Sequence, residues 1–392
     1  MQTLAEVSEL IRQRRLSPVE LVSTCLERIE QMQPALNAFI TIAAASARQA
    51  AQVAEEEIQA GNYRGPMHGV PVGIKDFYDT AGITTTAAFE HFTSRVPAKD
   101  AVAVEKLKNA GAIIIGKTNM HTLGMGTTGL VSYFGAVKNP VNADYIPGGS
   151  SSGSAAAIAT GLCFATVDTD AIGSCRLPAA CCGVVGFKGT YGLIDMTGIL
   201  AGEQPPDDMI RWLSCAGITT RSSRDTALVL SVLAASNVAA TEKPLRIGVA
   251  DNIKADDDVS KAFANAIEKI RTLGHTMTKT KAPFVDFKKG IANIEADRKA
   301  IGAQAFADID VLILPTTNMT TPLVKDAAKD PQFLSPAFTM FANYYGLPAI
   351  SLPCGTDRHG LPIGVQIVAK AGDDAAVLQL ARQYEAPTAM SA

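Results

Sequence analysis

Short runs of β-branched and apolar residues alternate with longer helical stretches along almost the whole chain, and this alternation limits the architecture more than any other feature of the sequence. Residues 3–33 read as two helices. The second is opened by Ser17-Pro18-Val19-Glu20, a capping box with proline at the first helical position, and continues through Leu21, Cys25 and Ile29 at helical spacing. An alanine- and glutamate-rich helix is predicted over 45–59, and a helix over 101–110 ahead of a buried strand over 112–116. The pattern continues with a helix over 152–160, a strand over 163–167, a helix over 223–236, a strand over 245–250 and a helix over 257–273. Later strands are expected over 309–314, 348–353 and 363–368, with helices near 335–344 and 373–385. A Gly-Thr-Asp-Arg-His-Gly turn between 353 and 363 predicts a hairpin. Parallel strands need crossover connections, which helices supply. The expected fold is therefore α/β: a single domain, 1–392, with a central mixed sheet covered by helices on both faces.

Composition agrees. Of 392 residues, 47% are hydrophobic, enough for a sizeable core and too many for a disordered chain. A net charge of −3 with no Lys/Arg block argues against nucleic acid as the main partner. No positively charged segment followed by an apolar run opens the chain, and no apolar stretch reaches the roughly 18 residues of a bilayer span. Neither a secretory leader nor a membrane is expected. Seven cysteines without C-x-x-C spacing read as buried, reduced thiols of a cytoplasmic protein. Five histidines, none at ligand spacing from another histidine or a cysteine, give no metal site, and no cofactor is expected. The stretch 198–208 reads as an exposed loop and 387–392 as a mobile tail.

Three segments carry residues suited to chemistry. Gly148-Gly149-Ser150-Ser151-Ser152-Gly153-Ser154 opens an alanine-rich helix, where hydroxyls and N–H groups gather at a positive helix end. A flexible linker does not fit, because an apolar helix and strand follow at once. A phosphate loop does not fit either, because G-x-x-x-x-G-K-[ST] is absent. The same segment matches the G-x-S-x-G nucleophile elbow, but Tyr145-Ile146-Pro147-Gly148 is poor strand sequence, and neither His275 nor His359 has a distinctive context. In the second segment, Asp170-Ala171-Ile172-Gly173-Ser174-Cys175-Arg176, a serine follows a strand on a glycine-bearing turn. The N–H groups of Ala171, Ile172, Gly173 and Ser174 could converge on one oxygen, as an oxyanion site requires. An ordinary turn serine is the alternative. The third segment, 65–78, reads as a strand and turn that hold Lys75 between Ile74 and Asp76 in an apolar stretch. Burial disfavours a charged amine, so Lys75 is a plausible base, and an ion pair with Asp76 is the competing role.

These residues resemble the amidase signature family. The resemblance runs through Gly73-Ile74-Lys75-Asp76, Gly116-Lys117-Thr118-Asn119-Met120, Phe134-Gly135 with Asn139-Pro140, the two serine-glycine stretches and Cys182-Gly183-Val184-Val185-Gly186-Phe187-Lys188. It continues in Leu314-Pro315-Thr316-Thr317, Gly346-Leu347-Pro348-Ala349-Ile350 and Gly360-Leu361-Pro362-Ile363-Gly364-Val365-Gln366, so it covers nearly the whole chain. It implies an amide hydrolase with a triad of Lys75, Ser150 in a cis peptide, and the nucleophile Ser174, 24 residues after Ser150. Ser151, Asp170 and Arg176 would support that triad. The expected partner is a small-molecule amide, with a homodimer compatible. A carbamate, ester or aryl amide would serve the same triad, and the family also includes the ammonia-supplying subunit of tRNA-dependent amidotransferases. The chain departs from the family pattern at Ile172, where a glycine is usual, and at Cys175, where an aliphatic residue is usual. It also departs over 198–212 and in a short stretch over 283–305, regions that contribute to substrate choice.

Overall fold

A computed structural model describes residues 1–204, 207–234, 238 and 242–386. The tail expected over 387–392, the prolines at 205–206 and the last two positions of the helix expected over 223–236 lie outside the described residues. The strands are β1 (Phe39–Ile42), β2 (Pro71–Lys75), β3 (Ile113–Thr118), β4 (Ala165–Asp170), β5 (Val185–Lys188), β6 (Cys215–Thr220), β7 (Arg246–Ala250), β8 (Thr276–Thr280), β9 (Val311–Pro315), β10 (Ala349–Thr356) and β11 (Pro362–Ala369). They form one sheet in the order β1-β3-β2-β4-β6-β5-β10-β11-β9-β7-β8.

The sheet is mixed, as expected. β2 runs parallel to β3 and β4, and β7 runs parallel to β8 and β9. Between these blocks the strands pair antiparallel, and β10 and β11 form the expected hairpin. Every residue of β2, β3, β4, β6 and β9 is buried, which requires cover on both faces of the sheet. β8, at one edge, leaves Thr276, Thr278 and Lys279 exposed, and β1 at the other edge is only four residues long. Short or charged edges of this kind discourage pairing with another chain.

The helix Pro18–Leu36 starts where the sequence predicts, with Ser17 Oγ accepting the N–H groups of Val19 and Glu20 at 3.1 and 3.2 Å. The reciprocal capping box forms instead one helix earlier. Thr3 N–H donates to Glu6 Oε2 at 2.8 Å, and Glu6 N–H donates to Thr3 Oγ1 at 3.2 Å. The strand expected over 163–167 runs later, over Ala165–Asp170. Its polar end, Asp168-Thr169-Asp170, stays in a buried strand because each carboxylate finds donors. Thr166 and Thr219 serve Asp168, and Arg176 and Asn343 serve Asp170. The helix expected near 335–344 is confined to Met340–Tyr344, following a turn in which Thr339 and Met340 N–H both donate to Pro336 O.

The core has two large parts. One surrounds β2, β3 and β4 and contains Ile74, Ile115, Ala155, Ile158 and Val167. The other contains Leu213, Val285, Ile294, Ile301, Phe338, Phe341 and Tyr344, with Ala171, Ile172, Met209, Trp212 and Phe284 packed at its margin. Ala171 and Ile172, ahead of Ser174, pack against this second part, whereas Ala179 in the helix that follows belongs to the first.

Candidate active site

β2 delivers Lys75 at its last position into a setting with no solvent exposure. The ammonium does not pair with Asp76. Its Nζ donates to Ser150 Oγ and to Thr169 Oγ1, both at 2.8 Å, and lies 5.3 Å from the centre of the Phe77 ring. Asp76 faces elsewhere, accepting Thr86 N–H at 2.9 Å and standing 3.8 Å from Lys117. Burial pulls the Lys75 pKa down to about 8, while Asp168, Cys175 and Asp170 oppose the shift. A lysine in that state is part neutral near physiological pH and can take up a proton.

Ser150 follows a cis peptide bond from Gly149. A Cβ at Gly149 would sit 2.9 Å from Gly129 N and 3.0 Å from Gly126 O, so only glycine fits against that backbone. Ser150 O accepts the N–H of His121 at 2.9 Å. The helix Ser152–Thr160 begins directly after, and Ser151 joins the two serine segments by donating its N–H to Ser174 O at 3.0 Å. Its hydroxyl leans on Thr169 O at 3.4 Å.

Ser174 is 5% exposed, against 1% for Ser150 and 0% for Lys75, so it is the outermost of the three. Its hydroxyl has no hydrogen-bond partner among the described residues, and it occupies the turn between β4 and the helix Arg176–Cys182. Asp170 holds that turn from inside. Its Oδ1 accepts Gly173 N–H at 2.8 Å and its Oδ2 accepts Cys175 N–H at 3.2 Å. Arg176 meets the same carboxylate with Nε at 3.0 Å and Nη2 at 2.9 Å. It also donates to Thr339 O at 3.1 Å, to Asn343 Oδ1 at 2.6 Å and to Gln366 Oε1. Burial alone would raise the Asp170 pKa, but Arg176 outweighs it and holds the carboxylate well below its usual range.

One amide differs from expectation. The Gly173 N–H, read from sequence as part of an oxyanion site, is already committed to Asp170. The N–H groups of Ala171, Ile172 and Ser174 have no acceptor among the described residues. Gly173 itself has φ +131°, and a Cβ there would meet Thr339 Oγ1 at 2.4 Å. Ile172, fixed by Thr339 Oγ1 donating to its carbonyl, presents its side chain to the second core.

Several neighbours escaped the sequence reading. Thr169, the second acceptor for Lys75, sits in what resembles a strand end. His121 is 2% exposed, with Nδ1 lacking a partner, and burial together with Lys75 pushes its pKa down to about 4, so it is neutral. Neither His275 nor His359 belongs to this site. His275 bonds Gln383 at 2.8 Å, and His359 lies in the β10–β11 turn beside Tyr145. Among the described residues no group of His, Cys, Asp and Glu is placed to hold a metal ion. All seven cysteines are free.

Comparison with known proteins decides the family. The model of the Amidase family matches residues 20–303 and 287–378. The chain belongs to the Amidase family. It is 31% identical over 479 aligned positions to a glutamyl-tRNA(Gln) amidotransferase subunit from Geobacter metallireducens, covering 99% of this chain and 97% of the relative. The corresponding amidotransferase subunit from Prochlorococcus marinus is 32% identical over 477 positions, covering 97% and 96%. Among solved structures, 6-aminohexanoate cyclic dimer hydrolase superposes with a TM-score of 0.86 at 26% identity, covering 98% of this chain and 96% of that one. A structure described as an amidase gives 0.83 at 28% identity, covering 98% and 99%. This Amidase family member is therefore an enzyme of carbon–nitrogen bond hydrolysis at the family level. The alignment of 479 positions against 392 residues means that the Geobacter relative carries stretches this chain lacks. Among the described residues no helix is long and apolar enough to cross a membrane.

Proposed function

We propose that the chain hydrolyses a small carboxylic amide through Lys75, Ser150 and Ser174. The observation that carries this reading is the 2.8 Å contact between a fully buried lysine and the hydroxyl of Ser150. A neutral amine that donates one N–H to Thr169 keeps its lone pair for the Ser150 proton. As Ser174 Oγ attacks the amide carbon, its proton passes to Ser150 and that of Ser150 to Lys75. The carbonyl oxygen becomes an oxyanion facing the free N–H groups of Ala171, Ile172 and Ser174. Each such donor contributes about 2.7–4 kcal/mol to a tetrahedral intermediate. The C–N bond then breaks, and the leaving amine takes the proton back from Lys75 through Ser150. Water attacks the resulting ester, loses its proton along the same relay, and releases the acid and Ser174. Ser151, Asp170 and Arg176 keep the two serine segments in register for this exchange.

A fluorophosphonate probe tests the assignment. Labelling is expected at Ser174, lost in Ser174→Ala and in Lys75→Ala; equal labelling after both changes refutes it. A panel of primary amides, anilides, carbamates and esters then names the leaving group. The second reading, an ammonia-supplying subunit, is favoured by the names of the relatives at 31–32% identity. Turnover of neutral amides by the isolated chain, without activity on glutamine, supports the first reading; the reverse supports the second.

A further inference from the structure

Lys75 has a neighbour that the triad does not use. β2 and β4 run parallel with Gly73 opposite Thr166 and Ile74 opposite Val167, so the next step sets Lys75 beside Asp168. The faces agree: a Cβ at Gly73 would touch Thr166 Cγ2 at 3.1 Å, and two residues further Lys75 and Asp168 project to the same side. Both side chains are fully buried. Asp168 Oδ2 accepts the hydroxyls of Thr166 and Thr219, each at 2.7 Å, while Oδ1 has no hydrogen-bond partner. The nearby Ser154 hydroxyl, 2.7 Å from Thr118 Oγ1, also holds the Asp168 pKa down. A fully buried carboxylate whose donors are all neutral hydroxyls is stabilised by a charge nearby.

The other buried cations are engaged elsewhere. Arg176 is on Asp170, Lys117 is on Tyr78 O and Thr85 Oγ1 beside Asp76, and Lys188 is on the carbonyls of Gly189 and Leu347. The groups that face Lys75 are Asp168 and Asp170 on β4, the Cys175 thiol, the His121 ring and the Phe77 ring. Asp170 is neutralised by Arg176, burial keeps Cys175 a thiol, and His121 is neutral. Asp168 is the carboxylate left to balance the lysine. Burial raises its pKa, and Lys75 is the first group that opposes the rise.

We propose that Asp168 is a positioning residue for Lys75, a buried countercharge that stabilises the ammonium as it forms and leaves the lysine N–H groups free for Ser150 and Thr169. The two side chains need not share a hydrogen bond, since charge acts across the intervening space in a low-dielectric interior. This inference rests on Lys75 being the base.

The test is the pH dependence of kcat/KM in Asp168→Asn. Asparagine can keep both threonine contacts through its carbonyl oxygen and places its NH₂ where Oδ1 has no donor to lose. Without the anion Lys75 holds its proton less tightly, so the acid limb is expected to move down by about 1–2 pH units, with a lower plateau from a weaker base. Asp168→Glu restores the charge and should return the limb toward wild type. A purely structural role would lower the rate at every pH and leave the limb in place, and an unmoved limb in Asp168→Asn overturns the proposal. If that variant does not fold, Asp168→Ser, neutral and smaller, gives the same reading. Lys75→Ala separates the two claims: retained Ser174 labelling there refutes the base, whereas lost labelling with an unmoved Asp168→Asn limb refutes only the countercharge.

Discussion

The Asp170–Arg176 pair offers the sharpest test of how the Ser174 turn is held. Arg176→Met keeps an unbranched side chain of similar reach but removes every N–H from a group with no solvent exposure. Asp170 would keep its contacts with Gly173 N–H, Cys175 N–H and Asn343 Nδ2 and lose its only cation within bonding distance among the described residues. Breaking a buried pair from one side costs about 3–5 kcal/mol, a large share of the roughly 5–15 kcal/mol that holds a domain together. The loss should depend on pH. In the native protein Asp170 is held below the usual carboxylate range, so its contribution is complete above the unfolded-state pKa and is lost only as pH falls through the depressed folded value. In the variant burial dominates and raises the Asp170 pKa. A raised carboxylate makes the folded state bind one more proton than the unfolded state, so the variant loses stability as pH rises, by up to about 1.4 kcal/mol per pH unit. The penalty at pH 7 should therefore exceed that at pH 5 by as much as about 2.7 kcal/mol. Urea unfolding followed by the fluorescence of the single tryptophan, Trp212, and by circular dichroism measures both values. Asp170→Asn/Arg176→Met, which leaves no lone charge, should recover most of the loss. A penalty under about 1 kcal/mol, or one equal at the two pH values, would refute the reasoning.

Activity should rise along a single acid limb centred near pH 8, where Lys75 loses its proton, and a flat profile from about pH 5 to 9 would remove it as the base. Gly173→Ala forces a Cβ against Thr339 Oγ1 at φ +131°, so about 1–3 kcal/mol of strain should appear as a lower urea midpoint, together with lost fluorophosphonate labelling. The buried thiols of Cys25 and Cys181, both pushed up to about 12, should resist a neutral-pH thiol reagent until the protein unfolds; rapid reaction of either in the native state would contradict their burial.

Local signals with a clear physical origin were legible. Ser17-Pro18 starts its helix, the turn between Pro353 and Ile363 makes its hairpin, and the apolar flank of Lys75 becomes a fully buried strand. Three kinds of element were not. β8, Thr276–Thr280, is mostly polar and exposed, and gains its place by pairing with β7 and packing Met277 on the core. β5 is only four residues long, and it and β6 close the middle of the sheet through antiparallel partners distant in sequence. Asp168, Thr169 and Asp170 fall beyond the end of the expected strand, because sequence alone does not reveal the threonines, lysine and arginine that satisfy them. The commitment of the Gly173 amide was hidden for the same reason, since its acceptor is set by how Arg176 and Asn343 hold Asp170.

The division of the core has a consequence for how the enzyme can breathe and drift. Lys75 and Ser150 are rooted in the part built on β2, β3 and β4, whereas Ile172, Met209 and Trp212 lean on the other part. The helix Asp208–Leu213 buries only Leu213, and Ile294–Ala305 only Ile294 and Ile301, and Arg298 ties the two together by donating to the carbonyls of Trp212 and Tyr344. Segments with few buried apolar anchors open at lower free energy than fully buried strands. This second part can therefore shift, or change from one lineage to the next, at less cost than the buried sheet that fixes the spacing of Lys75 and Ser150.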